Sequence, residues 1–473
     1  MTAVAGVAPP DQGPAAGGGP RHGAALAVGG CLAVSVASLA LPATLAFDPW
    51  AWLVWGREVG ELGLDTTGGP SWKPLPVLVT TVLSVAGGHA PVLWLVLART
   101  AGLLALVAAF RLAARFAGPW AGALAAGLLV LTPDGGPRFL RLVAEGHTAP
   151  VTATLSLWAV DRHLAGRPLA ALLAATAVAL DRPEAWPFLA LYAAWLWRST
   201  PACRPVVAAC LVAVPVLWLG GDWWGSGDAW HGADAARVVA GTPGERASWA
   251  WQRVARAVAS PAWPAAAAAV ATAWRRREAA LLVLAAGAVA WSALVAAMSV
   301  TLGYAALSRF LLPAAAALCV LAGVGVVRVV AAARGRAGAR AVVALLLAAA
   351  VPPVLARATS IGTVAEGVAS RARLEADLDV VIDRAGGPGA LLACGGVAIR
   401  PSDVPRVALA WKLDVPLRRV DGRLGDRPGV VLVGAGEDEA ARLAAAGDDG
   451  VAELARSSRW VAHAVACRPT GSS

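Results

Sequence analysis

Residues 24–60 read AALAVGGCLAVSVASLALPATLAFDPWAWLVWGREVG, an apolar run followed at once by a Trp-rich segment. The apolar run, Ala24 to Ala46, has roughly 23 residues, which is enough to cross a bilayer. A cleaved signal peptide is the alternative, because Thr44-Leu45-Ala46 resembles a cleavage site. The apolar part of such a peptide has only about 7–15 residues, so the run favours a retained first transmembrane helix.

The rest of the chain is similarly apolar. Its 473 residues are 58% hydrophobic and 15% charged, and the mean hydropathy is +0.64. Soluble domains carry about a quarter charged residues, so this composition disfavours an ordinary soluble enzyme. The net charge of +10 comes almost entirely from arginines in short clusters between apolar runs. That placement indicates membrane topology rather than a nucleic-acid partner.

Ten further apolar runs predict ten more membrane spans, which makes eleven in total. They lie at about 91–113, 118–132, 148–165, 168–181, 185–198, 205–220, 259–274, 279–301, 309–330 and 341–357. A shorter run, Pro74 to Val85, predicts a helix in the membrane interface. Arginines gather in alternate loops and acids in the others, so we expect the N-terminus in the cytoplasm and the C-terminus outside.

The predicted fold is an α-helical polytopic membrane protein with a small C-terminal α/β extracytoplasmic domain. Residues 1–23 predict a disordered cytoplasmic tail, 24–358 the transmembrane domain with exported loops at 47–90, 133–147 and 221–258, and 359–473 the small domain. In that domain we expect strands at Ala390–Ala393 and Val430–Val433, helices at 371–385 and 436–446, and a hairpin of Val451–Ser457 with Trp460–Cys467.

The segment after the first span begins with Asp48 and Pro49, a pair typical of a helix start. Trp52 and Trp55 then recur at helical spacing while Glu58 faces elsewhere, which predicts an amphipathic helix lying on the membrane surface. Two interpretations stay open. Asp48 is either a helix cap beside an aromatic belt or a carboxylate at the outer mouth of a membrane cavity.

These features resemble the GT-C superfamily of polytopic glycosyltransferases, which use polyprenyl-phosphate-linked sugars. The similarity covers roughly residues 24–357 and includes the mannosyltransferase-like and arabinofuranosyltransferase-like branches. It rests on the exported loop that opens with Asp48, on Trp72-Lys73-Pro74-Leu75-Pro76, on Asp181-Arg182-Pro183-Glu184 and on Ser308-Arg309-Phe310-Leu311-Leu312-Pro313. The resemblance implies that Asp48 is the general base. Many members carry two adjacent acids or an acid followed by Tyr, whereas this chain has Pro49 and Trp50 there.

Transfer from a lipid phosphate requires a base for the acceptor proton and cations for the departing phosphate. Asp48 is the first candidate for the base, with Glu58 and Glu184 as supporting acids. Each candidate cation is alternatively an interfacial anchor that reaches water. The candidates for binding the donor phosphate are Arg309, Arg182, Arg138 and Arg141, and the indoles expected to pack on sugar or lipid are Trp52, Trp55 and Trp72.

The other polar residues do not indicate one particular kind of site. Asp134, Glu145 and His147 lack a defensible metal-ligand spacing, so we expect solvated loop charges, and Glu184 is either a helix cap or a cavity residue. Indoles in the third exported loop either stack on sugars or anchor at headgroup depth: Trp223, Trp224, Trp230, Trp249 and Trp251. Gly434-Ala435-Gly436 follows a strand, but Glu439 replaces the third glycine of a dinucleotide-binding motif.

Cys394 and Cys467 are the cysteines placed in the exported domain, where disulfides are permitted. We predict that they pair, with two free thiols as the alternative. The remaining cysteines show no zinc spacing.

The sequence therefore predicts a glycosyltransferase of the bacterial inner membrane that moves a sugar from a polyprenyl-phosphate donor to an envelope glycan, lipid or protein. The donor and the bilayer are the predicted partners. No cofactor is certain, and metal dependence stays open. The alternative is a non-enzymatic membrane protein, either a lipid-linked-sugar transporter or an envelope assembly factor. We find no internal repeat of the kind that transporters show.

Overall fold

A computed structural model of the chain describes residues 20–133, 138–333, 335–400, 404–424, 428–436 and 450–467. The predicted tail of residues 1–23 and the predicted helix 436–446 lie almost entirely outside these ranges, as does Asp134. The described part is a multi-pass bundle of α-helices followed by a small mixed sheet. Both elements of the predicted fold class are confirmed.

In the described ranges the bundle contains fifteen α-helices, which are followed by one long last helix. They are α1 (Pro20–Ala37), α2 (Phe47–Gly60), α3 (Pro74–Ser84), α4 (Ala90–Ala117), α5 (Pro119–Val130), α6 (Phe139–Ala144), α7 (Thr148–Leu164), α8 (Pro168–Asp181), α9 (Trp186–Ser199), α10 (Arg204–Ser226), α11 (His231–Ala235), α12 (Pro243–Ala255), α13 (Ala262–Arg276), α14 (Ala279–Leu302) and α15 (Leu312–Ala332). Proline opens several of them, because the first helical turn has no partner for its N–H groups.

Each of the eleven predicted spans falls on one helix. In the part of the chain that the structure describes, six helices are long and apolar enough to cross a bilayer: Gly23–Ala40, Gly87–Ala117, Pro201–Ser226, Ala279–Leu302, Ser308–Ala332 and Gly335–Arg384. The other five have 12 to 17 residues. The number that crosses the membrane therefore stays a prediction.

Helix α15 lies at the centre of the bundle, and 83% of its most apolar 18-residue stretch is buried. It packs against α4, α5, α7, α13 and α14. Small residues allow this contact. A Cβ atom on Gly325 would lie 1.8 Å from the Ala265 carbonyl oxygen, and one on Gly323 would lie 2.3 Å from that of Ala121. Close backbone approach at small residues is the usual way in which membrane helices associate.

The last helix of the bundle, α16 (Gly335–Arg384), continues directly into the small domain. The predicted boundary at residues 358/359 therefore falls inside one continuous helix, and the predicted helix 371–385 is its final part. The other helices of the small domain are α17 (Pro388–Ala393) and α18 (Val404–Lys412).

The sheet of the small domain has the order β2-β1-β3-β5-β4. Its strands are β1 (Gly396–Arg400), β2 (Val420–Asp421), β3 (Gly429–Gly434), β4 (Val451–Arg456) and β5 (Trp460–Val465). The pairs β1–β2 and β1–β3 are parallel, and β3–β5 and β4–β5 are antiparallel. The predicted strand Val430–Val433 and the predicted C-terminal hairpin are confirmed.

The strand predicted at Ala390–Ala393 is wrong, because these residues end helix α17. Pro388 favours the first helical turn, and alanine and leucine are strong helix formers. The strand comes immediately afterwards, at Val397 and Ile399 in β1. Both side chains are buried, and β-branched residues are favoured in such strands.

Cys394 and Cys467 are joined by a disulfide, with their Cα atoms 5.7 Å apart. This is the pair proposed from the sequence. It ties the end of α17 to the chain just after β5, so it closes the sheet domain on itself.

Candidate active site

Asp48 lies in the first turn of α2 and faces the interior of the protein. It is 7% exposed, and Oδ2 accepts a hydrogen bond from Arg309 Nη2 at 2.9 Å. Lys73 Nζ lies 3.9 Å from the same oxygen. The helix is capped instead by Ala46, without a side-chain hydrogen bond. The cap interpretation of Asp48 is therefore wrong.

Helix α2 is also not an amphipathic surface helix. Nearly every residue from Asp48 to Gly56 is buried, because aromatic and aliphatic side chains occupy all sides of it. The indole N–H groups of Trp55 and Trp72 donate to the backbone carbonyls of Asp65 and Leu217. Both tryptophans belong to the protein core, so their predicted packing on sugar or lipid is wrong.

Trp52 is buried as well, but it borders the candidate site. Lys73 Nζ lies 5.1 Å from the centroid of its ring, a cation–π contact. Lys73 precedes α3 and is 6% exposed. The sequence analysis did not assign Lys73 a role. Its rarity was the available signal, because the chain contains only one other lysine.

Two arginines approach Asp48 from other helices. Arg309 lies in the 3-10 turn Ser308–Leu311 that leads into α15, and Arg182 follows the last residue of α8. Their guanidinium carbons lie 5.6 and 4.3 Å from the centroid of the Phe310 ring. We call Asp48, Lys73, Arg182 and Arg309 the Asp48 cluster. It brings the Asp48 carboxylate together with three cations from separate parts of the bundle, and one of these, Arg182, also pairs with Asp181 Oδ2 at 3.5 Å.

The charges in the Asp48 cluster shift the titration of its members. Burial alone would raise the pKa of Asp48, but the charges of Arg309 and Lys73 outweigh it and lower that pKa to about 2. Burial, together with the charge of Arg182, lowers the pKa of Lys73 to about 8 against the attraction of Asp48. Asp48 is therefore an anion at neutral pH, and Lys73 titrates within the physiological range.

Several buried polar atoms of this region have no hydrogen-bond partner among the described residues. They are Arg309 Nε, Arg182 Nη1, Asp181 Oδ1 and Glu184 Oε2. Unpaired donors on two adjacent guanidinium groups suit an anionic oxygen ligand, because arginine donates in a planar fork that matches phosphate. The Asp48 cluster therefore has the chemistry of an anion site beside a carboxylate.

Glu184 does not cap the following helix. It is completely buried, and its Oε1 accepts a hydrogen bond from the Tyr304 hydroxyl at 3.0 Å. The Tyr304 and Phe310 ring centroids lie 5.3 Å apart, and the Phe310 ring packs against Arg182 and Arg309. Burial and the charge of Glu184 raise the pKa of Tyr304, which keeps its hydroxyl protonated.

Glu145 and His147 were expected to be solvated loop charges, but both are buried. Glu145 is 3% exposed and pairs with Arg141 at 2.7 Å, with Arg371 of α16, and with His147 at 3.7 Å. Burial alone would raise the pKa of Glu145, but these partners lower it to about 2. Burial lowers the pKa of His147, so this imidazole is neutral at pH 7. No group of metal-ligating side chains is present in the described ranges.

Glu58 and Arg141 bind partners other than Asp48. Glu58, nearly three turns further along α2, is 4% exposed and accepts the backbone N–H of Asp65. Burial raises the pKa of Glu58 to about 7. Arg141 is engaged with Glu145, as described above. Arg138 immediately precedes α6 with a left-handed backbone conformation.

The small domain contacts the start of α2 on both sides of Asp48. The Glu375 carboxylate of α16 accepts hydrogen bonds from Thr44 Oγ1 at 2.5 Å and from Trp50 Nε1 at 3.3 Å. Arg57 pairs with Asp414 at 2.6 Å, beside α18. None of these partners was predictable, because more than 300 residues separate each pair in the sequence.

Comparison with known proteins identifies this arrangement of helices. No protein-family model and no curated protein sequence matches the chain. Solved structures do match, among them ArnT from Cupriavidus metallidurans in the apo state and the same protein bound to undecaprenyl phosphate. The chain therefore has the fold of ArnT.

The similarity extends over both proteins almost completely. It covers 93% of this chain and 97% of apo ArnT with a TM-score of 0.53, and 94% and 98% with a TM-score of 0.54 for the bound form. Sequence identity is 17% in both cases. The GT-C resemblance predicted from the loop of Asp48 is thus confirmed at the level of the fold, including the small domain.

Proposed function

We propose that this protein is a glycosyltransferase of the bacterial inner membrane, with its active site on the exported face. It moves a sugar from a polyprenyl-phosphate donor to an envelope acceptor. One observation carries the proposal: a buried carboxylate, Asp48, shares a site with three cations in a GT-C fold. Because ArnT, which has this fold, was crystallised with undecaprenyl phosphate, we extend a lipid-phosphate ligand to this chain.

The cations are the proposed ligands of the donor phosphate. Arg309 keeps Nε available beside the nitrogen that binds Asp48, and Arg182 keeps Nη1. Lys73 adds a third positive charge at the same carboxylate. Charge-assisted hydrogen bonds of this kind stabilise the negative charge that develops on the departing phosphate.

Asp48 is the proposed general base. The acceptor hydroxyl forms a bond to the anomeric carbon while the bond from that carbon to the phosphate oxygen breaks, and Asp48 takes the hydroxyl proton. The products are the glycosylated acceptor and the polyprenyl phosphate. With a pKa of about 2, Asp48 is a weak base in the free protein. A donor phosphate that shares Arg309 and Lys73 reduces their hold on Asp48 and so raises its basicity.

Orientation in the membrane is part of the proposal. Arginines line the loops assigned to the cytoplasm, which places the N-terminus inside and the small domain outside. Because the small domain contacts Thr44, Trp50 and Arg57, the loop that carries Asp48 lies on the same side as that domain. The envelope acceptor therefore reaches Asp48 from the exported side.

The proposal is tested by incubating purified, nanodisc-embedded protein with a panel of polyprenyl-phosphate sugars and measuring sugar release by mass spectrometry. We expect release from at least one hexose or pentose donor, and inhibition by added undecaprenyl phosphate. Lack of release from every donor, together with lack of binding of undecaprenyl phosphate, would contradict the proposal. Transport of an intact donor across a proteoliposome membrane would support the rival transporter instead.

A further inference from the structure

A polar cavity lies at the far end of α2 from Asp48, between the first exported loop, α10 and the small domain. Its volume is about 400 Å³, within the range of small-molecule sites. The side chains that give it chemical character are Leu62, Asp65, Thr67, Trp224, Ser226 and Arg418. The Asp48 cluster does not contribute to this cavity.

The loop that lines the cavity is held rigidly. Glu58 accepts the backbone N–H groups of Asp65 through its side chain and of Gly63 through its carbonyl. Thr66 donates its backbone N–H to the Gly225 carbonyl of α10 at 3.0 Å. Thr67 donates both its N–H and its hydroxyl to Asp65 Oδ1. A site whose groups are fixed in advance loses little entropy on binding.

The small domain closes the other side. Arg418 Nε pairs with Asp65 Oδ2 at 2.5 Å, while the arginine side chain stays 65% exposed. Within the described residues, no bond engages its two terminal nitrogens. A Cβ on Gly68 would lie 2.6 Å from the Arg418 backbone nitrogen, so only glycine permits this contact between loop and domain.

Two apolar groups complete the cavity at its open side. Trp224 is 46% exposed at the end of α10, and Leu62 is 80% exposed. Leu62 occupies the left-handed position that ends α2, with φ +59°, where glycine is the usual residue. A branched side chain kept in a disfavoured conformation and directed to solvent points to a role outside folding.

We propose that this cavity binds a carbohydrate, the extended glycan that accepts the transferred sugar. An indole face packs on a sugar ring, while the terminal nitrogens of Arg418 donate to sugar hydroxyls. The Thr67 hydroxyl oxygen, whose proton goes to Asp65, can accept from a sugar hydroxyl. A charged, hydroxyl-lined wall disfavours a lipid chain, which needs an apolar one.

The distance to Asp48 specifies the acceptor further. Leu62 and Asp48 stand at opposite ends of α2, so about 20 Å separates them at the rise of an α-helix. A glycan that contacts both must contain several sugar residues. This inference rests on the proposed function for its acceptor role, but the binding site itself is tested separately.

The test is calorimetric titration of the full chain in nanodiscs with linear hexasaccharides of glucose, mannose, galactose and arabinose. We expect at least one to bind, and Trp224→Ala or Arg418→Ala to weaken its binding at least tenfold. Trp251→Ala is the matched control, because Trp251 is 71% exposed on α12 outside the cavity. Leu62→Gly should fold as well as the wild type and still bind several-fold more weakly.

Lack of binding of all four hexasaccharides would overturn the inference, and so would binding that survives Trp224→Ala and Arg418→Ala unchanged. The donor-cleavage assay separates this failure from failure of the proposed function. A protein that releases sugar from a lipid donor but binds no hexasaccharide keeps its glycosyltransferase assignment and loses the glycan cavity. Hexasaccharide binding without donor cleavage leaves the cavity and removes its acceptor role.

Discussion

Two clusters in this molecule each consist of a buried aspartate with three cations, but they differ in how far their cations are exposed to solvent. The Asp161 cluster comprises Asp161 at the end of α7 with Arg111, Arg115 and Arg162. Arg111 and Arg115 are 48% and 37% exposed, whereas Lys73 and Arg182 of the Asp48 cluster are 8% and 3% exposed. Two cations of the Asp161 cluster thus face outward, whereas Lys73 and Arg182 have been taken out of water. Arg162 and Arg309, at 15% and 24% exposure, do not share this contrast.

This difference in solvation separates an anchor from a candidate site. An exposed arginine pair stabilises a protein by at most about 1 kcal/mol, because water screens it. Removing several like charges from water is unfavourable unless a ligand or a function compensates for it. The Asp161 cluster fits the ends of two neighbouring helices that the proposed orientation assigns to the cytoplasm, and the Asp48 cluster fits an anion site.

The largest expected effect distinguishes the two aspartates directly. Asp48→Asn should lower the rate of sugar transfer by about 10²–10⁴-fold, because an amide cannot accept the proton. Asp161→Asn should leave the rate within a few-fold of wild type. Transfer assays on both variants, at matched expression and melting temperature, check this. Equal losses in the two variants would remove the distinction between the clusters.

The second prediction concerns one arginine from each cluster. Arg309→Gln should weaken binding of undecaprenyl phosphate by about 10–100-fold, the equivalent of one charged hydrogen bond. Arg115→Gln should leave this affinity unchanged, because Arg115 contacts Asp161 and the Leu164 carbonyl. Titration of the lipid phosphate into each variant measures the effect. If Arg115→Gln weakens binding as strongly, the lipid phosphate binds at the other cluster.

The third prediction is a pH dependence that only the Asp48 cluster produces. Lys73, with a pKa of about 8, loses its charge as the pH rises through that value, so kcat/KM for the donor should fall by about tenfold there. Asp48, with a pKa of about 2, stays ionised throughout. A kcat/KM profile from pH 6 to pH 10 measures this fall, whose midpoint should lie near the Lys73 pKa of about 8. Lys73→Arg, which keeps its charge, should abolish the fall, and persistence of the fall in that variant would rule out Lys73 as its cause.

The smallest effect on activity should come from the disulfide, which supports the domain beside Asp48 and has no counterpart near Asp161. Replacing Cys394 and Cys467 by serine reopens a loop with a sequence separation of 73 and should destabilise the small domain by about 4 kcal/mol. Transfer activity should fall only a few-fold below the melting temperature. Thiol labelling and differential scanning fluorimetry check this prediction. Labelling of both cysteines in denatured, unreduced wild type would mean that the bond is absent.

Much of the fold was predictable because it depends on local sequence. Each of the eleven predicted spans falls on a helix, and the strands at Val430–Val433 and after Val451 are where the sequence places them. The errors have local causes as well. Pro388 starts a helix where a strand was predicted. Helix α2 was predicted to lie on the surface because of the charged residues at its end, but tryptophans on every side of the helix bury it.

The candidate site was predictable only in part. Asp48, Arg182 and Arg309 were identified because each lies beside the end of an apolar run. Lys73, His147 and Tyr304 were missed, because nothing local separates a buried polar residue in a loop from a solvated one. Glu58 was predicted as a supporting acid, whereas in the structure its carboxylate accepts the backbone N–H of Asp65.

The sequence alone determined which segments are helices, because hydrophobic length and periodicity are properties of neighbouring residues. It also determined the supply of charges at the ends of those segments. Only the tertiary structure decided which charges meet. Arg309 reaches Asp48 across 261 residues, and Arg371 reaches Glu145 across 226, because α15 and α16 pack where they do. The same packing removed Lys73 and Arg182 from water, and that desolvation distinguishes the Asp48 cluster from the Asp161 cluster.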